Sequence, residues 1–535
     1  MRNLSVPFRS VLFRWPPQQE LVQCMFACTF QSRETFDGRA LIHDLMKLAR
    51  SYLLLQNLQV EVTQLREAFD SGRTKEESWR RLQLKNLISL LEEKENDISQ
   101  ALKQDLGKHP IESYRDEIGP LIKSLNYALN GLKKWMSGRK ADLPLAAFPS
   151  SAVLVPEPLG VVLIISSWNF PFGVSLEPLI GAICAGNAVV LKPSELAPAS
   201  ASVLANLIHT YLDPKAIKVI QGGVSVGEQL LQLKWDKIFF TGSAPVARIV
   251  MTAAAKNLTP VTIELGGKCP AVVDSLSSSW DKTIAIKRIL AAKFGICAGQ
   301  ACISIDYILV EKKFVSTLVE LLKAATLSMF GVNPKETNSI ARIINKYHFT
   351  RLKNLLNEPS TKASIVYGGS LDEDNLFIEA TILVDPPLET GVMTEEIFGP
   401  VLPIITLENI EDSIMFLKSK PKPLVIYAFT NNEGLKKRLS LETSSGSVVF
   451  NDAIVQYAAD SLPFGGVGES GFGRYHGKFS FDEFSYEKAV VRRGYLVDFW
   501  FRYPPWNNHK LQLFKSAYRF DYLGIVLIML GLKKS

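Results

Sequence analysis

Five short apolar runs, rich in β-branched residues and separated by helix-like segments, constrain the fold of this 535-residue chain more than any other feature. The runs are mostly apolar and β-branched, which is typical of strands that are covered on both faces. Strands of this kind joined by helices predict a parallel, doubly wound α/β sheet, an architecture that binds nucleotides. The runs lie at residues 161–165, 188–191, 217–220, 237–240 and 261–264.

The chain is also long enough to bury more than one core. It has 535 residues, of which 47% are hydrophobic, whereas single cores stop growing near ~250–300 residues. Residues 267–442 again alternate strand-like and helix-like segments, without an internal sequence repeat, and so predict a second α/β domain. Residues 60–137 carry apolar side chains at helical spacing, which predicts long helices bordering the surface.

Cys302 is the first candidate for covalent chemistry. It ends the stretch GQAC (299–302), which follows a helix-like run and precedes strand-like residues 305–310. A cysteine at the end of a Gly-containing turn can present its thiol to a cleft, and its thiolate is a good nucleophile. A lone free cysteine is more often a small buried hydrophobe, so the interpretation depends on the motifs around it.

Those motifs resemble the aldehyde dehydrogenase superfamily in order and spacing, from about Val60 to the C-terminus. They are SWNFPF (167–172), KPSE (192–195), FTGS (240–243), VTIELGGK (261–268) and EEIFGP (395–400). The stretches CAGQAC (297–302), LPFGGVGESG (462–471) and WFRYPPW (500–506) resemble family 3, the fatty-aldehyde class. CAGQAC is most similar to the plant F1-type members of that family. The resemblance implies a Rossmann-type parallel-sheet cofactor domain, an α/β catalytic domain and a small oligomerisation or bridging element.

The family pattern predicts how these parts are ordered along the chain. The predicted parts are an N-terminal extension (1–59), helices of the cofactor domain (60–139), an extended oligomerisation element (140–158), the Rossmann-type NAD(P)-binding domain (159–266), the catalytic domain (267–442), a return to the cofactor domain with the bridging element (443–490) and a C-terminal tail (491–535).

The resemblance implies oxidation of an aldehyde to a carboxylic acid through a cysteine thiohemiacetal and a thioester. Cys302 would attack the carbonyl carbon, and the Asn169 side-chain amide with the Cys302 backbone N–H would stabilise the oxyanion. Glu264 would deprotonate the water that hydrolyses the thioester, because desolvation raises the pKa of a carboxylate towards neutrality. Judged without the family, Glu264 could equally be tied to backbone amides at the following Gly266-Gly267 turn.

The cofactor is expected near the strand–turn–helix that begins at residue 239. Backbone amides at a helix start can face a pyrophosphate there, whereas the GxGxxG match at 466–471 follows no predicted strand and is rejected. Ala247 stands where the family usually has a glycine, and its small size predicts only a modest change in cofactor fit. The contacts that the resemblance implies are Ser166, Trp168, Lys192, Glu195, Gly222, Gly242, Ser243, Glu396 and Phe398.

Lys192 and Glu195 bear on the choice between NAD and NADP. A carboxylate bonds the ribose hydroxyls of NAD and repels a 2′-phosphate, whereas a lysine attracts one, so NAD is favoured and NADP is allowed. No metal is expected, because no His-rich set accompanies Cys297 and Cys302.

Two other classes of function compete with this interpretation. A cysteine-dependent esterase or hydrolase would need a histidine to activate the thiol, and no motif singles out His209 or His348 for that role. A non-catalytic binding protein that retains the fold predicts loss of the nucleophile or the base, yet Cys302 and Glu264 are both present.

The substrate is less constrained than the reaction. Several aromatic residues could line an apolar tunnel, although any single aromatic is more often part of the core. The resemblance implies medium- or long-chain aliphatic aldehydes, including those from lipid oxidation, and nothing in the sequence excludes phosphorylated ones. The tunnel candidates are Trp168, Phe170, Phe172, Tyr457 and Phe464.

Charge and chain ends bear on partners. A net charge of +7 is small for 535 residues, and its scattered basic residues favour a mixed solvated surface over nucleic-acid binding. The resemblance implies a homodimer with residues 150–155 and 492–501 in the contact. The apolar decamer at 523–532 is too short for a membrane span, which needs ~20 residues, and would either pack against the protein or touch a membrane surface.

Compartment is predicted from the cysteines and the N-terminus. Six cysteines give no disulfide framework, and a nucleophilic thiol suits a reducing compartment, so a cytoplasmic enzyme is favoured. Residues 1–59 do not match the family, and they carry Arg2, Arg9 and Arg14 before the first acidic residue, Glu20. This pattern is a weak transit-peptide signal, since the segment is rich in Phe and Leu and not in Ser, and it leaves a plastid or other organelle as the alternative. Residues 40–58 are expected to form an amphipathic helix, either as part of that segment or as a spacer.

Overall fold

The computed structural model describes residues 38–144, 147–336 and 339–532. The chain divides into two units, residues 1–57 and residues 58–535. The helix predicted at residues 40–58 lies within the helix Gly38–Asp70. The basic residues on which the targeting hypothesis depends, Arg2, Arg9 and Arg14, lie outside the described residues.

The described elements alternate along the chain as the periodicity predicts. The strands are β1 Arg139–Ala141, β2 Ser151–Pro158, β3 Val161–Ile165, β4 Ala188–Lys192, β5 Ile217–Val219, β6 Lys237–Thr241, β7 Val261–Glu264, β8 Pro270–Val273, β9 Tyr307–Glu311, β10 Ile365–Tyr367, β11 Leu371–Asp372, β12 Phe377–Ile378, β13 Thr381–Val384, β14 Val401–Leu407, β15 Val425–Phe429, β16 Ser447–Phe450, β17 Gly471–Phe472 and β18 Ser485–Arg492. The α-helices are Gly38–Asp70, Glu77–Glu93, Glu95–Leu106, Pro110–Ser113, Gly119–Met136, Gly173–Ala185, Pro198–Tyr211, Val224–Leu230, Ala244–Ala255, Ser279–Lys293, Lys312–Phe330, Lys346–Asn357, Pro359–Ala363, Gly391–Thr394, Asp412–Lys418, Glu433–Glu442, Gly477–Glu483, Asn508–Tyr518 and Tyr522–Met529.

The five apolar runs form the parallel part of a six-stranded sheet with the order β17-β7-β6-β3-β4-β5. β3 to β7 pair in parallel, and β17 adds to the β7 edge in the antiparallel sense. Almost all residues of β3, β4 and β6 are buried, because helices cover both faces of the sheet. The prediction of a doubly wound α/β sheet is confirmed.

A second, seven-stranded sheet has the order β10-β13-β14-β9-β8-β15-β16. All its neighbouring strands are parallel except β10 and β13. β16 lies beyond residue 442, where the catalytic domain was predicted to end, so this sheet extends further along the chain than that boundary. One apolar cluster includes residues of both sheets, such as Ile164 and Ile308, and joins the two layers in a shared core.

The extended excursion predicted at residues 140–158 contributes to a third, three-stranded sheet. β2 pairs antiparallel with β1 on one side and with β18 on the other. β18 is exposed along most of its length. This small sheet therefore links the segment before β3 to the segment after residue 484.

The apolar decamer near the C-terminus forms the helix Tyr522–Met529, which is only partly packed. Ile528 is buried, whereas Leu523, Val526 and Leu530 each expose more than half of their surface. Within residues 38–144, 147–336 and 339–532, no helix has both the length and the apolar character that a membrane crossing requires.

Candidate active site

A cavity of about 1470 Å³ opens where β3, β6 and β7 reach their carboxyl ends. In open α/β sheets, ligands bind in the crevice outside these strand ends. Segments of the second sheet, before β9 and before β14, complete its wall. The predicted site residues that line it are Trp168, Asn169, Gly242, Ser243, Glu264, Cys302, Glu396 and Phe398.

Cys302 is presented by a loop with an unusual backbone. The residues Cys297, Ala298 and Gly299 have consecutive positive φ angles of 47°, 53° and 77°. A side chain at Gly299 would lie within 2.5 Å of the Gly399 carbonyl oxygen, so only glycine fits there. Strain of this kind is concentrated at functional sites. The Cys302 carbonyl is anchored in turn, since the Cys269 thiol donates to it at 3.3 Å.

The surroundings of the Cys302 sulfur favour its protonated form. Burial, and then the carboxyl groups of Glu396 and Glu264, raise the pKa of the thiol to about 12. The backbone N–H groups of Cys302 and Ile303 face the sulfur and act in the opposite direction. These surroundings therefore oppose the ionisation that makes the thiol a nucleophile.

Asn169 is buried and tied directly to the cysteine loop. Its Nδ2 donates to the Gln300 carbonyl at 3.0 Å, and its Oδ1 accepts from Ser167 Oγ at 2.6 Å. Gln300 is itself fully buried, and its side chain bonds the backbone of Cys297, Arg342 and Ile344. A carboxamide has two N–H donors, so Asn169 can hold this loop with one and offer the other to a ligand.

Glu264 ends β7 and is almost fully buried. Neither of its carboxyl oxygens has a hydrogen-bond partner among the described residues, so the alternative tie to the Gly266-Gly267 amides is wrong. Burial, and then Glu483, raise the pKa of Glu264 well above its usual range. A buried carboxylate without a partner is costly, so the surroundings of Glu264 favour its protonated form.

The turn after β6 fits a dinucleotide phosphate. Ser243 is the N-cap of the 12-residue helix Ala244–Ala255 and uses no side-chain cap bond, and the helix start faces the cavity. Backbone N–H groups at such a start bind anions. A side chain at Gly242 would lie within 2.6 Å of the Phe240 ring, and Ala247 packs as a buried small residue. Arg248 adds a positive charge to the lining.

Four predicted cofactor residues do not line the cavity as it stands. Lys192 is buried at the end of β4 and its Nζ lies 3.0 Å from the exposed Glu195 carboxylate. Ser166 shares its hydroxyl with Ser175 at 2.6 Å, so it is committed to the protein interior. Gly222, past β5, has a φ of 149°, which favours glycine. All four lie beyond carboxyl ends of the same sheet.

Near the second sheet, aromatic rings and a carboxyl group close the cavity. Trp168 contacts Phe398 edge-on at 5.4 Å and His348 at 5.0 Å between ring centroids. Burial, and then Asp306, raise the pKa of Glu396 to about 8. Glu396 leaves no room for a side chain at Gly266, where a Cβ would be 2.2 Å from its oxygen.

His348 is a cavity residue that no sequence motif selects. Sequence reasoning treated it as structural, but it lies in the helix Lys346–Asn357 and its ring reaches the lining. Burial, and then Arg351, lower the pKa of His348 to about 4, so the ring is neutral at pH 7. Among the hydrogen bonds of residues 38–144, 147–336 and 339–532, none joins an imidazole to the Cys302 thiol.

The substrate end is lined by apolar side chains. Trp168, Phe170, Tyr457 and Phe464 line the cavity as the sequence predicts. Phe172 does not line the cavity, because its side chain is fully buried in the core. Its backbone N–H donates to the Glu117 carboxylate.

Comparison with known proteins agrees with this geometry. The model of the aldehyde dehydrogenase family matches residues 56–490. "Aldehyde dehydrogenase family 3 member F1" of Arabidopsis thaliana is 53% identical over 90% of this chain and 99% of its own length. "Aldehyde dehydrogenase family 3 member I1, chloroplastic" of the same plant is 49% identical over 88% and 86%. The solved structure of Staphylococcus aureus AldH in a substrate-bound state is 39% identical, with a TM-score of 0.82, and is covered over 87% of this chain and 99% of its own.

The fold, the cavity at the strand ends and these similarities agree. The predicted resemblance to family 3 is confirmed. The chain therefore belongs to the aldehyde dehydrogenase family, and it is an enzyme that oxidises aldehydes to carboxylic acids with NAD(P).

Proposed function

We propose that Cys302, Asn169 and Glu264 carry out the reaction. The Cys302 thiol releases its proton to solvent, the resulting thiolate Sγ bonds to the aldehyde carbon, and the carbonyl π electrons move to the oxygen. The oxygen of this thiohemiacetal accepts hydrogen bonds from Asn169 Nδ2 and the Cys302 N–H. NAD(P), when bound, accepts the hydride that leaves this carbon. The observation that supports the proposal is that three separate segments bring these residues to one cavity.

Glu264 completes the cycle as the base for deacylation. It removes a proton from water, the water oxygen bonds to the thioester carbon, and the carbon–sulfur bond breaks to release the carboxylic acid and Cys302. Its burial and its two unpartnered oxygens support this role, because no neighbouring group occupies the carboxyl and it is free to take a proton from water.

Three groups of residues would hold the cofactor, and two of them line the cavity. Gly242 and Ser243 suit the pyrophosphate, while Glu396, Phe398 and Trp168 suit the nicotinamide riboside.

Lys192, Glu195, Ser166 and Gly222 are proposed for the adenosine end, since they lie beyond the ends of β3, β4 and β5. The Glu195 carboxylate favours NAD, and the neighbouring Lys192 leaves NADP accessible.

The proposed substrates are medium- or long-chain aliphatic aldehydes, including those from lipid oxidation. Phe170, Val174, Ile296, Tyr457 and Phe464 give this end of the cavity an apolar surface. An apolar wall stabilises each buried methylene of a chain by about 0.8 kcal/mol. Affinity should therefore rise with chain length until the cavity is filled.

Assembly and compartment are part of the same proposal. A homodimer would use residues 150–155 and 492–501. The second region begins at the end of β18, which is exposed along most of its length. The helix Tyr522–Met529 would rest on a membrane surface through Leu523, Val526 and Leu530. A cytoplasmic location is proposed, with a plastid as the alternative because one relative is named chloroplastic.

A chain-length series tests the reaction and the substrate class together. Purified enzyme is given C3 to C16 aldehydes with NAD or NADP, and nicotinamide reduction is followed. We expect kcat/KM to rise with length, and flat negligible rates would reject the substrate class. Cys302→Ala should lower turnover by roughly 10⁴-fold or more, since the nucleophile is lost. Cys184→Ala, at a buried cysteine outside the cavity lining, is the matched control and should keep full activity.

A further inference from the structure

The segment Lys108 to Ile118, called the brace here, contacts the turn that carries Asn169 and the loop that carries Cys302. It includes the helix Pro110–Ser113 and a π-helical turn, Tyr114–Ile118. Lys108 and Glu117 form an ion pair of 2.6 Å, with both side chains fully buried. π-helical turns are rare and are found frequently at functional sites.

The first contact of the brace is with the Asn169 turn. Lys108 Nζ donates to the Asn169 carbonyl at 3.0 Å. The second oxygen of Glu117 accepts from the backbone N–H groups of Phe172 at 2.9 Å and Gly173 at 3.2 Å. Lys108 Nζ also lies 4.1 Å from the centre of the Phe170 ring. The buried pair thus holds both ends of the turn that presents the Asn169 amide.

The second contact of the brace is with the loop that carries Cys302. Glu112 Oε1 accepts from the Cys297 N–H at 2.6 Å. Arg115 donates to the Gly295 carbonyl at 2.9 Å and is paired with Asp116. Cys297 is the first of the three residues with positive φ, so Glu112 holds the loop where its backbone is most constrained.

We propose that the brace is a positioning element for the oxyanion site. The two groups assigned to the oxyanion, Asn169 Nδ2 and the Cys302 N–H, come from chain segments far apart in sequence. The brace bonds the backbone of both segments, and so sets their separation before the aldehyde arrives. A buried ion pair by itself is weak evidence for stability; here the bonded partners are the segments that present the oxyanion donors. The inference rests on the proposed role of Asn169.

The main test removes both charges of the pair at once. Single substitutions would leave an unpaired buried charge, whereas Lys108→Met/Glu117→Gln removes both charges and preserves volume. The rate of the first turnover, the aldehyde KM and the thermal midpoint are measured. We expect the first turnover to fall about tenfold to a hundredfold, because small misplacements cost that much, while KM stays near the native value. Arg66→Met/Asp236→Asn removes an ion pair outside the cavity lining and should keep the native rate.

A cycle with Asn169→Ala separates positioning from general damage. If the brace acts through the Asn169 amide, the double variant adds no more than about a twofold loss once that amide is gone. Losses that multiply, or a native first-turnover rate in the double variant, would overturn the proposal. A native rate in Asn169→Ala alone would instead reject the proposed role of Asn169, and so the two failures are distinguishable.

A second variant decides the matter if the double variant does not fold. Glu112→Ala removes the acceptor for the Cys297 N–H, while Glu112→Gln keeps a carbonyl oxygen in its place. We expect the Ala variant to lose about tenfold in the first turnover, and the Gln variant to regain most of it. A native rate in Glu112→Ala, or a Gln variant no faster than the Ala variant, would contradict the inference.

Discussion

Glu117 in the brace and Glu264 in the cavity are both buried carboxyl groups, yet their surroundings are opposite. The part of the cavity lining formed by Glu264 and Glu396 is called the cavity floor here. Glu117 accepts from Lys108 on one oxygen and from two backbone N–H groups on the other. Glu264 has no partner on either oxygen among the described residues. A carboxylate with all its bonds satisfied fixes geometry, whereas one with none is free to exchange a proton. Burial alone therefore does not identify a catalytic acid.

The cavity floor extends this contrast to a group of residues. Glu264 and Glu396 both have raised pKa values because of burial first, and both raise the pKa of Cys302. Like groups held close together in a desolvated site cannot all ionise at once. The surroundings of the floor thus favour protonated groups, whereas the brace carries a pair of opposite charges.

Substitution of the unpartnered carboxyl tests the chemistry on this side of the comparison. Glu264→Gln should keep the first nicotinamide reduction but slow steady turnover by roughly 10²–10⁴-fold, because the base for deacylation is lost. Mass spectrometry of the quenched enzyme should find an acyl adduct on Cys302. Deacylation at the native rate, without an adduct, would remove Glu264 from the mechanism.

Substitution of Glu117, whose carboxylate is fully hydrogen-bonded, should affect stability more than substitution of Glu264 does. Glu117→Gln leaves the Lys108 ammonium buried without a counter-charge, so the free energy of unfolding should fall by about 3–5 kcal/mol. Glu264→Gln relieves an unpartnered carboxyl and should leave that free energy unchanged or higher. Urea unfolding of both variants against the native chain measures the difference. Equal losses in the two variants would remove the distinction between them.

The sequence predicts the cavity floor well and the brace poorly, for physical reasons. β3 to β7 are mostly apolar runs, and Glu264 is the last residue of one of them, so its place follows from the strand. Lys108 and Glu117 stand in a charged segment, where helical periodicity does not say which charges turn inward.

The sequence pattern also does not predict contacts between residues that are far apart along the chain. His348 reaches the cavity from a helix of the second sheet layer, and the strand β16 continues that layer beyond residue 442. Ser166 sits at a strand end as predicted, but its hydroxyl is taken by Ser175 on the following helix. These outcomes depend on which distant groups meet, which a local pattern does not contain.

Glu177 is intermediate between the fully hydrogen-bonded Glu117 and the unpartnered Glu264. Its substitution has the smallest expected effect of those considered. One of its oxygens accepts from Ser124 Oγ at 2.8 Å. Burial is the largest cause that raises the pKa of Glu177 from 4.5 to about 7. The hydrogen bond from Ser124 lowers this pKa, Asp460 raises it and Lys123 lowers it. Because the folded pKa is the higher one, the stabilisation from the neutral carboxyl is complete below pH 4.5 and is lost as pH rises through 7.

Glu177→Gln should remove this pH dependence while keeping a bond to Ser124. The variant should gain on the native chain as pH rises, reaching a difference of about 3 kcal/mol in the free energy of unfolding above pH 7. Urea unfolding at several pH values between 4.5 and 8 measures both curves. Parallel curves would mean that Glu177 ionises as easily in the folded chain as in water. The one hydrogen bond from Ser124 would then be enough to keep a buried carboxyl ionised, as the full set of bonds does for Glu117, in contrast to the unpartnered Glu264.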